Sequence, residues 1–200
     1  MKVIEFFGMP RTGKTEQIKN LSNYLKNKKI RHFIITDREV EKEINIPFER
    51  AFEYSLLFYN KIFDKLLHAI QSKKYDLIIL DRGFLDSGVW FNIEFKKNHL
   101  TQEEKNIADD YMRKLRQYID FGILFIIDTK TALERHEKKG EKEKSDEYVL
   151  NNYFHQLGYE YASLKDKLKN NKKILIIEGI KSKEEIFSMI SNSLEQKQII

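Results

Sequence analysis

Five apolar runs recur along the chain, at 3–7, 31–36, 77–80, 122–127 and 173–177. The run Leu77-Ile78-Ile79-Leu80 is short and continuous, the pattern of a central strand in a parallel sheet buried on both faces. Between the runs, apolar residues fall at helical spacing. Ile18, Leu21 and Leu25 mark a helix over 15–28, and Phe52, Leu56, Tyr59, Phe63, Leu66, Leu67 and Ile70 mark one over 48–72. Further helices are predicted over 84–95, around Ala132 and Leu133, and over 148–169. Thr101-Gln102-Glu103-Glu104 and Ser182-Lys183-Glu184-Glu185 are capping boxes that start two more. The stretch 39–47 reads as polar loop and the tail 196–200 as loose. Strands alternating with helices predict an α/β fold, a five-stranded parallel sheet flanked by helices, in one domain over 1–200.

The first strand runs into Gly8-Met9-Pro10-Arg11-Thr12-Gly13-Lys14-Thr15, which matches the phosphate-binding pattern G-x-x-x-x-G-K-[ST]. Strand, glycine loop and helix follow in the order that motif requires, so the fold expected is that of P-loop NTPases. The backbone from Gly8 to Glu16, through Met9, Pro10, Arg11, Thr12 and Gly13, would wrap a phosphate with its N–H groups and the following helix N-terminus. Lys14 would reach the β and γ phosphates, and the Thr15 hydroxyl suits Mg²⁺. An ordinary glycine-rich turn is the competing reading.

Composition narrows the class. Hydrophobic residues make up 41% of the 200, enough for a full core, and no apolar stretch reaches membrane-span length. Met1-Lys2 leads directly into the first strand without a charged-then-apolar leader, and cysteine is absent, so the expectation is a cytoplasmic protein without disulfides or thiolate-bound metal. The net charge of +5 comes from lysines dispersed among acidic residues, which fits solvated helix faces and not a nucleic-acid track. No membrane or nucleic-acid partner is expected. Of the eight arginines, Arg11, Arg38 and Arg82 fall just after predicted strands, where α/β sheets bind ligands.

Two other strand ends carry candidate chemistry. Strand two ends in Asp37-Arg38-Glu39, either a solvated turn or a functional cluster. Strand three ends in Asp81-Arg82-Gly83, the position of a Walker B carboxylate near Mg²⁺. Trp90 either packs in the core or forms a base-stacking wall. Residues 136–147 contain no apolar side chain, the composition of a mobile lid or of a frayed helix end and loop. A GTPase would carry D-x-x-G and N-K-x-D, and neither fits; the histidines lack metal spacing, and no G-x-S-x-G elbow is present. A small kinase with a lid remains.

The residues Phe7-Gly8-Met9-Pro10-Arg11-Thr12-Gly13-Lys14-Thr15-Glu16-Gln17, Arg38-Glu39, Asp81-Arg82, Ala132-Leu133-Glu134-Arg135 and Ile176-Ile177-Glu178-Gly179 resemble, in register, those of thymidylate kinases. The wider group includes the deoxynucleoside kinases. That resemblance implies ATP and Mg²⁺ as cofactors, with Thr15 and Asp81 organising the metal. It implies Lys14, Arg11, Arg82, Glu39 and Asp81 as catalytic residues, with Arg11 the P-loop arginine that replaces one in the lid. Arg38, Glu39, Arg82 and Trp90 would bind the acceptor. A homodimer is also implied.

Three departures lie on the acceptor side. Pro10 stands where thymidylate kinases have aspartate, Val40-Glu41-Lys42 replaces Pro-Gly-Gly, and Gly83 replaces an aromatic. The expected function is transfer of the γ-phosphoryl of Mg-ATP to a nucleoside monophosphate or a nucleoside, a small-molecule acceptor. The alternatives are a P-loop kinase of another small molecule, or an ATP-binding regulatory protein without turnover.

Overall fold

The computed structural model describes residues 1–47, 50–138 and 147–200. Its elements are β1 (Lys2–Gly8), α1 (Lys14–Asn27), β2 (His32–Thr36), α2 (Asp37–Glu41), α3 (Ala51–Ser72), β3 (Leu77–Asp81), α4 (Ser87–Lys96), α5 (Gln102–Leu115), β4 (Phe121–Ile126), α6 (Thr129–Lys138), α7 (Glu147–Leu168), β5 (Ile174–Glu178) and α8 (Lys183–Gln196). All strand pairs are parallel, in the order β2-β3-β1-β4-β5. Every strand therefore ends on the same side of the sheet, and β1 sits at its centre.

Side chains alternate across the sheet as the strand period of two demands. Ile4 and Phe6 of β1, Leu77 and Ile79 of β3, and Ile123 and Phe125 of β4 meet Ile18, Leu21 and Leu25 of α1 and Ile186, Ile190 and Leu194 of α8. On the opposite face, Val3, Ile78 and Leu80 pack against α3 and α5, while Phe7 and Leu124 pack against α4 and α7. Both capping boxes form, at Thr101 and Ser182. Among the described residues no helix is long and apolar enough to cross a membrane.

The chain departs from the sequence reading at two strand ends. The predicted loop after strand two begins with a helical turn, α2, because the Thr36 hydroxyl accepts from Glu39 N at 3.3 Å. The helix expected from 84 starts at Ser87 instead. Phe84 N and Leu85 N each donate at 2.9 Å to the carboxylate of Glu5, buried beneath them in β1, so a side chain shapes this turn. Most of the candidate lid over 136–147 lies outside the described residues; 136–138 form the last turn of α6.

Candidate active site

The P-loop leaves the central strand along a path that only glycine permits. Gly8 has φ 121°, and a Cβ there would stand 2.1 Å from Phe125 O on β4. Met9 N then donates to that same carbonyl at 3.0 Å, pinning the loop to the neighbouring strand. The Thr12 hydroxyl closes the loop on Met9 O at 2.9 Å. Lys14 Nζ donates to Gly8 O at 3.1 Å and Met9 O at 2.6 Å, so the ammonium lies inside the loop. Burial, and then Arg82, push its pKa down to about 7, against the opposing pull of Asp81, Asp86 and Asp37. A phosphate arriving here would restore the charge.

A cavity of about 850 Å³ opens above these strand ends. Pro10, Arg11, Thr12, Gly13, Lys14, Thr15, Glu16, Arg38, Asp81 and Arg82, all candidates from the sequence, line it. Gly8 and Met9 lie beneath and take part through their carbonyls. Glu39 and Trp90 do not reach the wall. Glu39 is exposed on α2, three residues past the strand end, while Asp37 lines the cavity. Trp90 lies behind Arg82, whose guanidinium carbon is 5.1 Å from the indole centre.

Sheet register explains why Asp37 is the residue brought in. Thr36 pairs with Asp81, so the next residues on each strand, Asp37 and Arg82, are neighbours. Arg82 Nε lies 3.4 Å from the Asp37 carboxylate, and Nη1 lies 3.6 Å from that of Asp86. Nη1 also donates to the Tyr161 hydroxyl at 3.4 Å. Burial works against the Arg82 charge, but Tyr161, Asp86 and Asp37 outweigh it and raise the pKa further. Arg82 adopts φ 66° and Arg11 φ 63°, left-handed conformations that bulky residues rarely take. Backbone strain of this kind collects at functional sites.

The residues present fit Mg²⁺. The Thr15 hydroxyl donates to Asp81 Oδ2 at 3.2 Å, placing two oxygen ligands side by side. Burial and the neighbouring Asp37 carboxylate raise the Asp81 pKa, an excess of negative charge that a divalent cation would relieve. Among the described residues no group of three or more metal-binding side chains forms a cage. Mg²⁺ commonly takes one or two carboxylates, with substrate phosphates completing its shell.

Three residues that the sequence reading left without a role belong to this site. Asp37 was one of three consecutive charges, and only register distinguishes them. Tyr161 comes from α7, 79 residues beyond Arg82, with no local signal. His136 lies on the cavity wall, where Arg11 donates to it from Nε at 3.2 Å and contacts it from Nη2 at 2.9 Å.

No protein-family model matches the chain, and no curated protein matches its sequence. Solved structures match throughout its length. A deoxyadenosine kinase from M. mycoides with products dCMP and a flexible dCDP bound is 19% identical, with a TM-score of 0.70 over 97% of this chain and 99% of that one. The same enzyme with bound dATP is 18% identical, with a TM-score of 0.69 over 96% and 99%. With bound dCTP it is 20% identical, with a TM-score of 0.64 over 97% and 99%. The chain therefore has the five-stranded, helix-flanked P-loop fold found in a deoxynucleoside kinase.

Proposed function

We propose that the chain is an ATP-dependent kinase whose acceptor is a nucleoside, most closely a deoxynucleoside, rather than a nucleoside monophosphate. The observation that carries this reading is the pairing of Arg82 with Asp37 and Asp86. An acceptor phosphate needs guanidinium charge that is available to it. Here that charge is already matched by two carboxylates, and Asp37 itself lines the cavity. A carboxylate there repels a phosphate but accepts a proton from a hydroxyl. The fold shared with a deoxyadenosine kinase supports the same reading.

In this reading the P-loop N–H groups and Lys14 hold the β and γ phosphates, and Lys14 exchanges its bonds to Gly8 O and Met9 O for phosphate oxygens. Thr15 and Asp81 would hold Mg²⁺, which when bound neutralises charge on the phosphates. Asp37 takes the proton of the acceptor hydroxyl as its oxygen bonds to the γ phosphorus. The bond from that phosphorus to the β-bridging oxygen breaks, and ADP leaves. Arg11 offsets the charge on the transferring group, while Arg82, paired with Asp37, orients that carboxylate toward the hydroxyl. Residues 1–200 act as one kinase unit.

Nucleosides and their monophosphates, each incubated with Mg-ATP and the full chain, provide the test. Phosphorylated product is expected from one or more deoxynucleosides. Transfer to monophosphates alone, or to no nucleoside, would overturn the reading.

A further inference from the structure

We propose that His136 is a positioning residue for Arg11, its neutral imidazole holding the P-loop guanidinium in a fixed orientation beside the phosphate cavity. The kinetic consequence rests on the nucleoside kinase reading; the interaction does not.

Arg11 Nε and Nη2 lie 3.2 and 2.9 Å from His136 Nδ1. A guanidinium has donors and no acceptor, so Nδ1 must be the bare nitrogen and the proton must sit on Nε2. His136 is only 6% exposed, and its buried Nε2 has no hydrogen-bond partner among the described residues. A buried donor left in this state is costly and calls for a reason. The reason lies at the other nitrogen. Phe154 of α7 packs against the ring at 5.5 Å and 64°, which fixes the imidazole plane.

The backbone of Arg11 is held as well. Arg135, the residue before His136, donates to Arg11 O at 3.2 Å and to Gly179 O at 2.7 Å. Successive residues of α6 thus grip the main chain and the side chain of one arginine, whose own backbone is strained at φ 63°. A strained backbone and an orphaned N–H converge on a single guanidinium in the wall that also holds Lys14 and Asp81. Arginine has many rotamers, and fixing one in advance removes an entropic cost from the reacting complex.

Imidazole ¹⁵N spectra of the full chain at neutral pH test the contact directly. His136, assigned by its loss in His136→Gln, should carry its proton on Nε2, and Arg11→Ala should move the Nδ1 resonance. A protonated Nδ1, or one indifferent to Arg11→Ala, would overturn the proposal. Kinetics test the consequence. Asparagine places an acceptor near Nδ1 and glutamine does not, although glutamine better matches histidine in length. His136→Asn should keep kcat within about 3-fold, whereas His136→Gln and His136→Ala should lower it about 10-fold or more with little change in the KM for ATP. In an Arg11→Ala background, His136→Ala should cost nothing further. Equal losses for asparagine and glutamine, or losses that multiply with Arg11→Ala, would count against positioning. If the unaltered chain phosphorylates no nucleoside, the kinase reading fails and the spectra alone decide this one.

Discussion

The hydroxyl of Tyr161, fully buried in α7, donates a 2.6 Å hydrogen bond to the Asp86 carboxylate at the start of α4. The same hydroxyl accepts from Arg82. One phenol oxygen thus ties α7 to the turn that carries Arg82. Tyr161→Phe keeps the ring and removes the link. Leaving buried Asp86 with one partner fewer should cost about 1–3 kcal/mol in urea unfolding. It should also lower kcat with little change in the KM for ATP, because Arg82, the partner of Asp37, loses a support and Lys14 does not.

Asp37 and Glu39 separate the two readings of the strand-two cluster. Asp37→Asn removes the proposed proton acceptor and should lower kcat by about 100-fold or more, in the range typical of lost general-base catalysis. Glu39→Gln changes an exposed side chain outside the cavity, and should stay within about 2-fold, as surface substitutions usually do. Steady-state assays with a nucleoside acceptor compare them directly.

Burial, with Asp86 nearby, pushes the Glu5 carboxyl up to about 8 from an ordinary 4.5. Between those values the folded chain holds a proton that the unfolded chain has released. Stability contributed by this group is therefore full below pH 4.5 and is lost as pH rises to 8. The slope inside that window is at most about 1.4 kcal/mol per pH unit. Glu5→Gln, which does not titrate, should flatten the decline relative to the unaltered chain in denaturant titrations from pH 5 to 8.

Lys14 predicts proton uptake on binding. With its pKa pushed down to about 7, part of the Lys14 population is neutral at pH 7.5. Phosphates beside it favour the ammonium. Binding of ATP at pH 7.5 should take up a fraction of a proton, read calorimetrically as a binding enthalpy that changes with the ionisation enthalpy of the buffer.

The two P-loop glycines should respond unequally to alanine. At Gly8 the added carbon would meet the Phe125 backbone at 2.1 Å, so Gly8→Ala must displace β4 or the loop and should cost more than about 4 kcal/mol. At Gly13, with φ 91°, nothing lies within 4 Å of the added carbon, and strain alone should cost about 1–2 kcal/mol. Thermal melts of both variants measure the difference.

The P-loop wall of the cavity was legible because it is local. Gly8, Gly13, Lys14 and Thr15 lie within one loop, and the flanking apolar runs set its place. Asp81 and Arg82 were legible for the same reason, at the end of a continuous run. The surroundings of Arg82 depend on relations between distant segments. Asp37 acquires its place from the pairing of Thr36 with Asp81, and Trp90 from the arginine in front of it. Glu5, inside an apolar run, gave no sign that its carboxylate would bind the turn after β3. Side-chain hydrogen bonds of this kind leave no periodicity to read.

The grip of α6 on Arg11 makes that helix a ruler. Each residue of an α-helix advances about 1.5 Å and turns about 100°. Arg135 and His136 meet Arg11 only because they sit at their present distance from the end of β4. One residue inserted or deleted between Thr129 and Glu134 would rotate both away and bring other side chains round. Substitutions on the outer face of α6 leave this spacing intact, whereas a change of length does not. Among natural variants of this chain, α6 should therefore vary in composition far more freely than in length.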